Sequence, residues 1–172
     1  MGGGFLCGGR YDPLKNGISD GKGFQERGHK LMIKKILVPI DDSDHARKAI
    51  DFALDFALKY KATVYLIHVI SPLPSMIAEA DVLQKMEDNQ RQLAKEILEE
   101  AVRQVMKKGV GNFQSTMLYG DPAQGIIEFA RRNGVDMIVM GSRGAGGVET
   151  LLLGSVSNKV CHMADCTCVT VK

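Results

Sequence analysis

A chain of 172 residues and 18.8 kDa is long enough for one domain with a proper core, since about 150 residues bury roughly two thirds of their unfolded surface. Hydrophobic residues at 45% and charged residues at 24% lie near the averages of globular proteins and exclude a disordered or fibrous class. The net charge of +2, with basic residues spread along the chain, argues against nucleic acid or a membrane surface as partner and leaves a small molecule or another protein.

No apolar run reaches the roughly 18 to 20 residues of a membrane span, and the N-terminus lacks a continuous apolar signal core. A cytoplasmic protein is expected. Cys7 stands alone near the start, while Cys161, Cys166 and Cys168 cluster near the end. That is not the dense, even spacing of a secreted disulfide scaffold, so reduced thiols are expected. Residues 1–31 are glycine-rich and carry no periodic apolar pattern, whereas MIKKILVPI from Met32 reads as an ordinary protein start leading into a strand. Residues 1–31 are expected to be a flexible extension, a mis-assigned start or added residues, with the domain over residues 32–172.

The elements then alternate. Residues 33–40 form a β-branched, apolar strand, followed by Asp41, Asp42 and Ser43 as turn and cap residues. Ala46, Ala49, Ile50, Ala53, Leu54, Ala57 and Leu58 recur at the spacing of a buried helical stripe. Residues 63–70 (TVYLIHVI) are a second strand, closed by Pro72 and Pro74, which cannot sit in a central ladder. A long helix follows, with Leu83, Met86, Gln90, Leu93, Ile97, Ala101 and Val105 on one face and Gly109 as its stop. Residues 112–119 are the third strand. Asp121 and Pro122 open the next helix as cap and first-turn residue, and Asn133-Gly134 ends it. Residues 136–140 (DMIVM) are a fourth strand, apolar enough to be buried on both faces. A last helix over residues 155–163 and a fifth strand over residues 166–171 complete the chain. Five apolar strands joined by helical connections predict an α/β fold with a doubly wound, five-stranded parallel sheet flanked by helices. Ligands of such sheets bind beyond the carboxyl ends of the strands, where the strand order reverses.

The fourth strand runs into Gly141-Ser142-Arg143-Gly144, then nine residues, then Gly154-Ser155 at the start of the last helix. Glycines there are expected to admit positive φ and close approach to an anion, and successive loop amides make an anion-binding concavity. Ser155 and Ser157 offer hydroxyls, and the helix N-terminus adds unpaired amides with a partial positive charge. The whole arrangement resembles the motif of the nucleotide-binding branch of the universal stress protein family. VPIDDS at the end of the first strand and His68-Val69 in the second fit the same pattern, and the resemblance spans about residues 33–171.

The resemblance implies strand order 3-2-1-4-5, of adenine nucleotide alpha hydrolase type, and a bound adenine nucleotide: ATP, or ADP or AMP, with Mg²⁺ admissible beside it. It places Pro39, Ile40 and Asp41 against the adenosine end and the Val69 backbone at the adenine edge. Met140, Gly141, Ser142, Arg143, Gly144, Ala145, Gly146 and Gly147, with Gly154, Ser155, Val156 and Ser157, would hold ribose and phosphates. It also implies a stress-response setting and a homodimer, joined through the last strand, which holds Cys166, Cys168 and Val171. From the residues alone, Asp41 is equally readable as a helix N-cap, His68 as a hydrogen-bonded core residue and Arg143 as a solvated loop side chain.

GSRGAGG lacks the lysine of a P-loop, and DDSDH after the first strand is not the dinucleotide fingerprint GxGxxG. No water-activating group follows the fourth strand, so hydrolysis is expected to be slow or absent, at most that of a weak ATPase. Two other readings stand beside a nucleotide-binding regulator: a dimeric scaffold of the same fold that does not use nucleotide, and a true ATP-consuming enzyme. Cys161 and His162 are adjacent on a helix and diverge by roughly 100°, which disfavours a zinc site with Cys166 and Cys168. The nine methionines are expected to fill core.

Overall fold

The structure, a computed structural model, describes residues 32–73, 80–146 and 153–172. The expectations for residues 1–31 and for Gly147 lie outside the described residues. The elements run β1 (Lys35–Pro39), α1 (Asp44–Tyr60), β2 (Thr63–Ile70), α2 (Ala80–Lys108), β3 (Phe113–Tyr119), α3 (Pro122–Asn133), β4 (Met137–Gly141), α4 (Ser155–Met163) and β5 (Thr167–Val171). All pairings are parallel and the order is β3-β2-β1-β4-β5, the predicted doubly wound sheet.

The apolar strands serve two cores because successive side chains alternate across the sheet. Ile36, Val38, Val64, Leu66 and Val139 face α1 and α2, while Leu37, Tyr65, Ile67, Ile138 and Met140 face α3 and α4. Strands covered on both sides need no polar face, which is why they read as continuous apolar runs. Among the described residues no helix is long and apolar enough to cross a membrane.

Helix ends follow local chemistry. Ser43, rather than Asp41 or Asp42, caps α1: its Oγ accepts the Ala46 amide at 3.1 Å. Asp121 caps α3 by accepting the Gln124 amide at 2.8 Å, with Pro122 as the first helical residue. That amide bond, with Lys159 nearby, holds the Asp121 carboxyl below its ordinary range. Gly134 terminates α3 at φ 59° and Lys61 ends α1 in the same left-handed region.

Three side-chain expectations are corrected. Of the methionines expected to fill core, Met32, Met86, Met106 and Met163 are exposed. Leu58 is 46% exposed, and α2 buries Ala94, Leu98, Ala101 and Val105 while Met86 and Leu93 stay outside at 44% and 51%. Two overlapping stripes one residue apart compete on α2, and the sheet takes the one containing Ala94 and Ala101, whose small side chains let the helix approach closely. The buried residues of the helix all lie from Ala94 onward, and Val82, Met86 and Leu93 before them stay exposed.

Candidate functional site

The site lies where the chain, having run from β1 to β2 and β3 on one side, returns to β4 and β5 on the other. The carboxyl ends of β1 and β4 diverge at this reversal, and a cleft of about 380 Å³ opens there. That volume suits a small-molecule ligand.

Most of the expected site residues are brought together. Pro39, Ile40 and Asp41 from the end of β1, Val69 from β2, and Met140 and Gly141 from β4 line the cleft. Arg143, Gly144 and Gly146 follow from the loop, and Gly154, Ser155, Val156 and Ser157 from the start of α4. One side is therefore an apolar slot between Pro39, Ile40, Val69, Met140 and Val156, and the other is backbone amide and loop. Gly154 caps α4 without a side-chain hydrogen bond, and an α-helix leaves its first amides without intrahelical acceptors.

Ser142 and Ala145 sit differently. The Ser142 side chain is fully buried, its amide donates to Val171 O at 2.7 Å, and its carbonyl oxygen accepts from the Gly154 amide at 2.7 Å and Ser157 Oγ at 2.8 Å. Ser142 is thus a tie between β5, the loop and α4. Ser157 touches the cleft, yet its hydroxyl proton is engaged inside the protein. Ala145 is exposed on the far side of the loop, where its amide donates to Asp41 Oδ2 at 3.3 Å.

The glycines work through close approach. None of Gly141, Gly144, Gly146 and Gly154 has a positive φ, contrary to expectation. A Cβ on Gly141 would stand 2.9 Å from His45 Cβ and 3.0 Å from the Ala46 amide nitrogen, and one on Gly144 would stand 2.6 Å from Asp41 Oδ2. β4 passes too near the backbone at the start of α1 for a side chain at Gly141, Gly144 meets the end of the Asp41 side chain, and Gly146 has open space around it.

Sequence reasoning missed Ala46, Ile67, His68, Pro122 and Ile126 as cleft residues. Pro122 was readable as the start of the helix after β3, at the same end of the sheet, but its nearness to the switch point depends on how α3 crosses back to β4. His68 is a hydrogen-bonded, half-buried residue and also a wall of the cleft. Its Nδ1 lies 2.8 Å from Ile40 O. A carbonyl only accepts, so Nδ1 carries the proton.

Cys161 is exposed on α4, whereas Cys166 and Cys168 are half-buried beside β5. Among the described residues no group of three or more His, Cys, Asp or Glu could hold a metal ion. Burial, then Asp165, pushes the Cys166 thiol up, and burial with Cys161 and Cys166 nearby pushes Cys168 up to about 12. The thiolate is the nucleophile, so maleimide at neutral pH is expected to label Cys161 before Cys168. Labelling of Cys168 should still accelerate above pH 9, a point checked by peptide mass mapping. A Cys168 rate that levels off below pH 9 would contradict the burial described.

A parallel, doubly wound sheet with a glycine-rich loop at its switch point defines a small α/β domain with a ligand cleft. The chain belongs to the universal stress protein family: residues 32–172 match the profile described as Universal stress protein family. It is 36% identical over 156 residues to Universal stress protein MJ0531 of Methanocaldococcus jannaschii, covering 85% of this chain and 86% of that one. Among solved structures it is similar to universal stress protein UspA from Lactobacillus plantarum, with TM-score 0.74, 25% identity and 81% and 98% of the two chains covered. It is also similar to the universal stress protein from Archaeoglobus fulgidus in complex with dAMP, with TM-score 0.60, 25% identity and coverage of 82% and 99%.

Proposed function

We propose that the chain binds an adenine nucleotide, ATP, ADP or AMP, in the cleft at the switch point and serves as a small cytoplasmic regulator in a stress response. The observation that carries this reading is the pairing of an apolar slot with a glycine-rich loop and the N-terminus of α4, whose Gly154 cap makes no side-chain hydrogen bond, at one end of the sheet. The slot suits a purine, and helix amides with loop amides suit phosphate. The Archaeoglobus fulgidus relative in complex with dAMP supports the same ligand class.

Hydrolysis is slow or absent in this reading. Asp41, which touches the loop, accepts from Ser43 on one oxygen and from Ala145 on the other, which leaves it poorly placed to activate water. Mg²⁺ accompanying the nucleotide would rest mainly on phosphate oxygens and water, as Mg²⁺ commonly does. Bound ligand would alter association with a partner. The homodimer belongs to the same proposal: β5 is an edge strand whose Val169 and Val171 are only partly buried, and a second copy would cover that edge.

Native mass spectrometry of the purified protein, joined to calorimetric titration with AMP and ATP, tests both parts. Nucleotide-bearing dimers are expected. Protein that releases no nucleotide and takes up neither ligand at millimolar concentration would favour the scaffold reading, and steady turnover of about 1 per second or more would favour an enzyme.

A further inference from the structure

The loop after β4 and the segment entering α1 lie against each other in antiparallel order. Gly141 packs on His45 and Ala46. Ser142 Oγ is hydrogen-bonded to His45 Nδ1 at 3.2 Å, and the Arg143 carbonyl oxygen lies 3.4 Å from Ser43 Oγ. Gly144 leaves no room between itself and Asp41 Oδ2, and the Ala145 amide donates to that same oxygen at 3.3 Å. Each step along the loop is met by a step back along Asp41-Asp42-Ser43-Asp44-His45, at alternate residues.

We propose that Asp41 is the positioning residue of the glycine-rich loop, its carboxylate joining the cap of α1 to the Ala145 amide and, with Ser43 and His45, setting the conformation of residues 142–145 before any ligand arrives. Oδ1 accepts the Ser43 amide at 3.1 Å and the Ser43 hydroxyl at 2.5 Å, which fixes the carboxylate plane, and Oδ2 is thereby aimed at the loop. The other carboxylates of the segment are directed elsewhere: Asp42 and Asp44 pair with Arg47 at 3.1 and 2.9 Å. Gly144 is the residue that lets Oδ2 reach past it to Ala145. Preorganisation of this kind lowers the ordering cost of binding. The role of the latch at the site rests on the nucleotide reading above, while the latch itself does not.

The test uses the full chain without nucleotide. An amide proton held by a carboxylate is protected from exchange with solvent, so the Ala145 amide should exchange slowly in the unsubstituted protein. It should exchange faster in Asp41→Asn, whose single side-chain oxygen cannot accept from both sides. Asp42, Asp44, His45, Arg47 and Arg143 are the charged or ionisable neighbours along this contact, and they are common to both proteins. AMP binding should weaken about tenfold or more in Asp41→Asn, the scale of one charge-assisted hydrogen bond. In Asp41→Ala/Gly144→Val the two losses should be far from additive, because both remove the same contact. An Ala145 amide that exchanges equally fast in both proteins, or full additivity, overturns the latch. If the unsubstituted protein binds no AMP while Ala145 protection depends on Asp41, the nucleotide reading fails and the loop latch stands.

Discussion

Replacing Gly144 with valine is expected to weaken adenine nucleotide binding by roughly 10- to 100-fold and to lower the melting temperature by no more than a few degrees, since overpacking of this kind costs about 1–3 kcal/mol and here acts on a loop. A Cβ at position 144 would meet Asp41 Oδ2 at 2.6 Å, and Gly144 also lines the cleft, so a branched side chain there crowds Asp41 and the cleft together. Something must yield, and the exposed loop is the softer partner because Asp41 is tied to Ser43. The loop then moves out of the position in which it walls the cleft. Gly141 makes the comparison informative, since its missing Cβ faces His45 Cβ and the backbone of Ala46 within an established helix. A side chain there strains the packing of β4 on α1, and its effect on binding could not be separated from its effect on the fold. Calorimetric titration of Gly144→Val with AMP, alongside a thermal melt, decides the matter. Wild-type affinity in a folded variant would place the ligand away from this loop.

The sheet was legible because its strands carry one-dimensional information: runs such as TVYLIHVI and DMIVM are apolar throughout, and only a strand covered on both faces tolerates that. Helix ends were equally legible where a cap, a proline or a glycine does the work locally, as at Asp121-Pro122 and Gly134. What escaped depends on distances between elements. Leu93 and Ala94 present alternative stripes of α2, and the sequence cannot say which one the sheet selects. The loop glycines were expected to supply positive φ, yet their use is to let β4 pass close to α1, a constraint set by residues about 100 positions earlier. Ser142 illustrates the same limit. Its sequence neighbours suggest phosphate, while its position ties β5 to α4. The loop as a wall of the cleft was readable from its glycines, but the division of labour within it was not.

Truncating Leu66 to alanine is expected to destabilise the domain by about 3 kcal/mol, within the range for buried leucines, and to lower the melting temperature by roughly 10 °C for a domain of this size. Leu66 is fully buried at the middle of β2, on the face shared with α1 and α2, and β2 is flanked by β1 and β3, so the surrounding backbone has little freedom to collapse into the vacated space. The cleft is lined by its neighbour Ile67, whose side chain lies on the other face. Binding and folding should therefore separate in the opposite sense to Gly144→Val. At a temperature where the variant is folded its affinity for AMP should stay near that of the unsubstituted protein. Because the ligand binds only the folded form, AMP at about 100 times its Kd should return roughly 2.7 kcal/mol of stability and restore most of the lost melting temperature. Paired thermal melts with and without AMP check this. A shift of under about 3 °C on substitution would mean that β2 is not packed as described, and a destabilised variant that AMP fails to rescue would count against nucleotide binding to the native fold.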